Sequence, residues 1–385
     1  MVENSEKIRV LRIIARMNVG GPAVQVTGIA QNINQEIFDH LLVTGYCDGD
    51  EIDYLDAHET SLPLVKIDGL GRSVSFKSDI KAFLKIRSLI KEFQPHIIHT
   101  HTAKAGFLGR AASLTVLRRS KLVHTFHGHL LFGYFSPLMT KIVVIAERLL
   151  ALFTNTLIGV GQQVVDDLVD ARIGNSKKFI VINPGLEVSV RQDRSQVRRN
   201  LGISNEVFVI SWVGRFADIK APERVIEIAQ NSEISQKGFR FMMIGGGTLL
   251  DATKQTSENL DLPIDFLGWR NDPEDLIAAS DLLLMTSKNE GTPLSAIQAQ
   301  VLGIPVLTTD VGAIGEIVAK NISGFIEPYN AKKFQDLILL MSSEKSLWLA
   351  QSNEAKRQSR EKFSVSRLVA DHERLYKKLI SDQAN

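Results

Sequence analysis

The sequence predicts an α/β protein of two domains, each a parallel sheet wrapped by helices. Three observations carry this. Short apolar runs rich in Val, Ile and Leu alternate with helix-patterned stretches along most of the chain. The rhythm halts at Asn183-Pro184-Gly185 and resumes at Phe208. The chain has 385 residues, more than one hydrophobic core usually serves.

In order, residues 8–14 form the first strand, Asn18-Val19-Gly20-Gly21-Pro22 a turn, and 23–34 a helix. Strands follow at 39–44, 64–67, 96–100, 122–125, 156–160 and 179–182, with helices at 76–93, 105–117, 137–153 and 162–171. Helix 137–153 is apolar on most sides, which reads as a buried core helix. The polar stretch 187–200 reads as a linker. The second domain has strands at 208–213, 239–244, 264–267, 281–286, 306–309 and 324–326, then helices near 331–342, 345–361 and 365–381. Two Rossmann-like domains facing across a cleft result, spanning 1–187 and 188–362, with 363–385 expected to return to the first. Ligands of such folds bind at strand C-terminal ends, so the cleft is where one is expected.

Composition narrows the function. A formal charge of +2 argues against bulk nucleic-acid binding. The charge is uneven, however: residues 66–121 hold twelve Lys/Arg against three Asp/Glu. Solvated helix faces explain that excess, and so does a surface for an anionic membrane or a phosphate-bearing acceptor. The single cysteine, Cys47, rules out a disulfide framework and fits a reducing compartment. The polar start, leading straight into a strand, is not that of a signal peptide, and a cytoplasmic protein is expected.

The chemistry-bearing residues lie at strand ends. The apolar run 281–286 leads into Ser287-Lys288-Asn289-Glu290-Gly291-Thr292-Pro293-Leu294. Thr292 is expected to cap the next helix, with Pro293 at its first position. Glu290 then stands before free N–H groups, a favoured phosphate site. Gly214-Arg215-Phe216-Ala217-Asp218-Ile219-Lys220 follows another strand. Arg215 can fork onto two oxygens and Lys220 can add a point charge, which suits a diphosphate, although exposed loop cations would look the same. Gly245-Gly246-Gly247 permits either close ligand approach or a simple turn. Trp269, before Arg270, could border a nucleobase or sit at the core edge. Gly20 and Gly21 let backbone approach a ligand or a neighbouring helix, but the pattern is not GxGxxG. Histidines cluster at 99, 101, 124, 127 and 129. Alternate residues share a strand face, as metal ligands can, yet no carboxylate or cysteine stands near to complete a site. A hydrogen-bonding His127 beside Gly128, at the cleft floor, is the better reading.

In order and spacing these residues resemble one family over nearly the whole chain. The matching parts are Gly20-Gly21, His99 through Gly106, Phe126-His127-Gly128, Gly214-Arg215 with Lys220, and Glu290-Gly291-Thr292-Pro293 through Val306. The chain is similar to the retaining glycosyltransferases of the GT-B fold, family 4. The stretch 124–156, with Gly133-Tyr134-Phe135-Ser136-Pro137, looks like the subset building exopolysaccharide or O-antigen units.

The resemblance implies a nucleotide diphosphate sugar as donor, a lipid-linked or glycan acceptor, and neither cofactor nor metal. Arg215 and Lys220 would hold the diphosphate with N–H groups of Leu294 and Ser295. Glu290 and His127 would position the sugar. Gly20 and Gly21 would approach the phosphates; Gly214, Gly246, Trp269 and Arg270 would line the nucleotide. A nucleotide-sugar epimerase or a non-catalytic nucleotide-binding subunit are the rival functions. The family's ribose-binding glutamate, eight positions after the first, is Gln298 here. Tolerated variation, a deoxyribose donor or a weakened enzyme would each explain it, and Gln298→Glu is expected to tighten a uridine nucleotide. Residues 131–135 could touch lipid or acceptor, at the inner face of the plasma membrane.

Overall fold

The computed structural model describes residues 6–49, 51–57, 62–71, 73, 75–117, 120–128, 136–236 and 238–384. His129 and the 131–135 stretch lie outside the described residues. The chain divides into two compact units, residues 1–186 with 364–385, and residues 187–363.

The first unit contains β1 (Ile8–Arg16), α1 (Gly21–Asn32), β2 (Phe38–Gly45), α2 (Tyr54–Ala57), β3 (Leu64–Lys66), α3 (Phe76–Phe93), β4 (Ile97–His101), α4 (Ala103–Leu114), β5 (Lys121–Phe126), α5 (Pro137–Phe153), β6 (Thr156–Gly159), α6 (Gln162–Asp170) and β7 (Phe179–Val181). Its seven strands run parallel in the order β3-β2-β1-β4-β5-β6-β7. The second unit holds α7 (Arg194–Asn200), β8 (Phe208–Val213), α8 (Glu223–Ala229), α9 (Ser232–Gln236), β9 (Phe239–Ile244), α10 (Leu250–Asn259), β10 (Ile264–Gly268), α11 (Pro273–Ala278), β11 (Leu282–Met285), α12 (Leu294–Leu302), β12 (Val306–Thr309), β13 (Gly324–Glu327), α13 (Ala331–Ser343) and α14 (Lys345–Lys362). Its six parallel strands are ordered β10-β9-β8-β11-β12-β13. Strand order reverses beside β1 in one sheet and beside β8 in the other, and such a reversal opens a crevice at the strand ends.

The final helix, α15 (Val365–Ala384), packs on the first unit. Leu368 and Tyr376 join Val10, Ile29, Ile33 and Phe38 in one apolar cluster. Arg367 donates to the carbonyls of Asn183 (2.9 Å) and Pro184 (2.7 Å), fastening the last strand's exit to this helix. Gly185 fits under it only because it lacks a side chain: a Cβ there would stand 2.4 Å from the Ser364 carbonyl oxygen.

Three expectations are corrected. The stretch 187–200 is not all linker, because Asp193 accepts from the Ser195 and Gln196 N–H groups and starts α7. Its Arg198 is buried and donates to Asp281 at 2.7 Å, so what read as a polar stretch holds an interior ion pair. Helix α5 is not a core helix. Leu138, Ile142, Ile145, Leu149 and Leu152 are exposed, while the buried side carries Glu147, paired with buried Arg110 at 2.7 Å. Periodicity reported an apolar face but not which way it points. Lastly, α12 begins at Leu294 with Pro293 at the cap position, one residue later than expected. Pro293 has extended ψ (120°), so it precedes the helix.

Candidate functional site

The second unit brings several expected residues together where its strand order reverses. Lys220 follows β8 and Glu290 follows the neighbouring β11. The Lys220 Nζ donates to Glu290 Oε1 at 2.6 Å, and Ser287 Oγ donates to the same oxygen at 2.6 Å. Glu290 is buried and Lys220 half-buried. One carboxylate oxygen thus takes both of these bonds, which turns the carboxyl group into a fixed orientation.

The loops bearing this pair are locked at their base. Thr286 Oγ1 donates toward the carbonyls of Lys220 (3.1 Å) and Ala221 (3.0 Å) and accepts from Trp212 Nε1 (3.1 Å). The Lys288 N–H donates to the Ile219 carbonyl at 2.8 Å. Thr309 Oγ1 donates to the Ser287 carbonyl at 2.7 Å, from β12. Gly312, with φ +57°, lies so close that a Cβ there would stand 1.8 Å from the Glu290 carbonyl oxygen. The sequence assigns no role to Ser287, Thr286 or Gly312. Nothing in their spacing signals that they support Lys220 and Glu290.

Helix α12 starts without a side-chain cap, so the N–H groups at Leu294 and Ser295 belong to an uncapped helix start. Arg215 is exposed, and its guanidinium makes no ion pair with any described residue. Arg270 differs, because it is forked onto Asp272 at 2.8 and 2.7 Å, and that bond holds the Asp272 carboxyl below its ordinary range. Its guanidinium is therefore committed within the protein. Gly214 and the 245–247 turn are packed together: a Cβ at Gly245 would lie 2.0 Å from the Gly214 carbonyl oxygen. Close backbone approach here is demanded by the neighbouring loop itself. Trp269 is 45% exposed, so it is not a core-edge residue, and its indole lies against Gly246, where a Cβ would be 2.2 Å from Nε1. Gln298 donates its amide to Glu274 Oε1 at 2.7 Å.

In the first unit, Gly20 caps α1 beside the point of strand reversal. A Cβ there would meet nothing nearer than the Asn18 carbonyl oxygen at 3.9 Å, so no neighbouring helix requires this glycine. Gly21 is the first residue of α1.

The histidines have separate partners. His99 lies between Tyr376 (Nδ1, 2.6 Å) and Thr125 (Nε2, 2.7 Å), and His124 Nδ1 contacts the Thr100 hydroxyl at 2.8 Å. His101 Nδ1 stands 2.9 Å from His127 Nε2, and His127 Nδ1 has no protein partner. Burial pushes the His127 imidazole down to about 3, so it is neutral at physiological pH. Among the described residues, no three His, Cys, Asp or Glu converge as metal ligands.

This architecture is that of the GT-B proteins. The Anabaena protein HepE, solved with UDP and glucose, superposes with TM-score 0.81 at 20% identity, covering 96% of this chain and 100% of that one. WaaG, described as a glycosyltransferase of lipopolysaccharide biosynthesis, gives 0.73 at 17% identity over 94% of this chain and 99% of that one. Sequence carries the assignment further. The family model for glycosyl transferases group 1 matches residues 193–361, and that for glycosyltransferase family 4 matches residues 19–190. The chain belongs to these GT-B glycosyltransferases. It is 28% identical to an Escherichia coli UDP-Gal:α-D-GlcNAc-diphosphoundecaprenol α-1,3-galactosyltransferase, over 78% of this chain and 79% of that protein. It is 22% identical to the Staphylococcus aureus capsular polysaccharide biosynthesis glycosyltransferase CapM, over 81% and 84% of the two chains.

Proposed function

We propose that the chain transfers a hexose from a UDP-sugar, with retention of configuration, to a lipid-linked or glycan acceptor in capsule or O-antigen synthesis. The observation that carries this is the Lys220–Glu290 contact of 2.6 Å, set beside the uncapped start of α12. An ammonium has three donors, so Lys220 can keep Glu290 and still reach a phosphate oxygen. Arg215 supplies a second, uncommitted cation. The exposed Trp269, its indole lying on buried Gly246, borders the base, and Gly214 the nucleotide. Glu290, its first oxygen already occupied, offers Oε2 to sugar hydroxyls. The activities named for the relatives support the donor and acceptor classes.

In the reaction the bond from the anomeric carbon to the diphosphate oxygen breaks and a bond to the acceptor oxygen forms on the same face. The acceptor proton passes to the leaving diphosphate. Arg215, Lys220 and the α12 N–H groups meet the charge that develops, each charge-assisted bond contributing about 1.5–3 kcal/mol. The proposed course uses no protein nucleophile and routes no step through a metal.

The acceptor side is proposed to lie at an anionic membrane surface. Neighbouring helices α3, α4 and α5 expose Phe76, Ile80 and Leu84, then Phe107 and Leu114, then the α5 apolar row. Exposed Lys77, Lys81, Lys85, Lys141 and Arg148 lie among them. Apolar rows edged by cations suit anionic headgroups. No helix of the described residues is long and apolar enough to cross a membrane.

The test is transfer from UDP-sugars to diphosphoundecaprenol-linked acceptors, followed as acceptor-dependent UDP release. Arg215→Ala is expected to lower turnover about a hundredfold. Near-normal turnover in that variant would remove the phosphate assignment. An altered sugar nucleotide formed without acceptor would mean epimerisation, and would overturn transfer.

A further inference from the structure

We infer that Glu274, held by Gln298, is the acceptor for the ribose hydroxyls of the bound nucleotide. The inference rests on the nucleotide reading above. The observation is the 2.7 Å bond from Gln298 Nε2 to Glu274 Oε1. Glu274 sits in the first turn of α11, five residues after Trp269; Gln298 lies one turn along α12 from Leu294. Both are half-buried. Among the described residues Glu274 makes no ion pair, and Gln298 is its side-chain partner.

A nucleoside diphosphate links base to phosphate through ribose. With the base at Trp269 and the diphosphate at Lys220 and the start of α12, the sugar ring spans the loops that lead into α11 and α12. Those loops present Glu274 and Gln298. A ribose carries two adjacent hydroxyl donors, and a carboxylate is an acceptor with about four lone-pair positions. Gln298 uses one of them, and the others remain for the diol. Because the amide nitrogen is turned to Glu274, Gln298 Oε1 is left as a further acceptor. The carboxylate that position 298 lacks is therefore supplied from the neighbouring helix, and a ribonucleotide rather than a deoxyribonucleotide is the substrate class.

The expected effect of Gln298→Glu is thereby reversed. A second carboxylate placed about 2.7 Å from Glu274 would repel it or force a proton onto the pair, and the clamp would loosen.

The test is calorimetric binding of UDP, GDP and ADP, each with its 2′-deoxy counterpart, to the full chain. The variants are Glu274→Gln, Gln298→Glu and the exchange E274Q/Q298E, with melting temperatures as the folding control. Wild type is expected to prefer the ribose form of its best diphosphate at least tenfold. Glu274→Gln should lose most of that preference, and Gln298→Glu should weaken binding about tenfold. The exchange, which restores one carboxylate and one amide, should regain the preference. Retained preference in Glu274→Gln, or tighter binding in Gln298→Glu, overturns the clamp. Failure of wild type to bind any of the diphosphates removes the nucleotide reading itself, and the inference with it.

Discussion

Gly312→Ala is a sharp test of how Glu290 is held, because the change adds one methyl group away from the charged pair. Gly312 has φ +57°, where an L side chain is strained by about 1–2 kcal/mol. Its added Cβ would also stand 1.8 Å from the Glu290 carbonyl oxygen, against ordinary contact from 3.4 Å. One loop must therefore retreat by roughly 1.5 Å. The nearest link to break is the Ala313 N–H to Gly291 carbonyl bond of 3.1 Å, whose loss costs about 1 kcal/mol. Together these destabilise the second unit by about 2–3 kcal/mol, a drop of several degrees in melting temperature. The effect on turnover should be larger, since displacing a substrate-positioning group by about 1 Å can cost a hundredfold. Gly202→Ala is the control: its φ is +68° with open space around it, so it carries the backbone strain without the collision. Melting curves, nucleoside diphosphate binding and transfer rates of both variants separate the terms. Nucleotide affinity should fall less than turnover in Gly312→Ala, because Lys220 and Arg215 stay in place. Transfer within threefold of wild type in a folded Gly312→Ala protein would refute the claim that this contact fixes Glu290.

Two other outcomes follow from surface and interior. Replacing Ile142 and Ile145 by Asp should reduce sedimentation with phosphatidylglycerol vesicles at least tenfold while leaving the melting temperature within about 2 °C, since both are exposed; unchanged sedimentation would dismiss the membrane face. Burial lowers the His372 imidazole to about 4, against about 6.5 in the unfolded chain. The unfolded state binds more protons between those values, so stability is full above the upper one and falls as pH drops toward the lower. One such group removes about 2 kcal/mol by pH 5. Denaturant midpoints that stay flat from pH 7.5 to 5 would contradict this; His372→Asn should lessen the fall.

Strand–helix alternation was legible because each central strand is buried on both faces and so reads as a continuous apolar run, as in Leu282–Met285. What could not be read is direction and partnership. Helix α5 shows the limit: its five-residue apolar row is visible in sequence, but its outward placement depends on Glu147 finding Arg110, 37 positions earlier. Helix α7 was hidden for the converse reason, since Arg198 reads as solvated until Asp281 is brought beneath it. His99 was visible as one of a group, yet its Tyr376 partner is 277 positions away.

The second unit's site shows the same division. Lys220 and Glu290 are recognisable because each follows a strand and carries a charge at a loop. Their supports are neutral residues of ordinary type, Thr286, Ser287, Thr309 and Gly312, whose roles arise only when β8, β11 and β12 lie side by side. Glu274 is the extreme case. It is one acidic residue among Asp272, Glu274 and Asp275, and the first and last of these are already spent on Arg270 and on the Arg191 N–H. Of the three, Glu274 is taken neither by a described cation nor by a described backbone N–H, and only the fold delivers Gln298 to it. An altered residue at a familiar position therefore has to be judged with its spatial neighbour: Gln298 by itself reads as a lost charge, and Gln298 with Glu274 as a charge relocated.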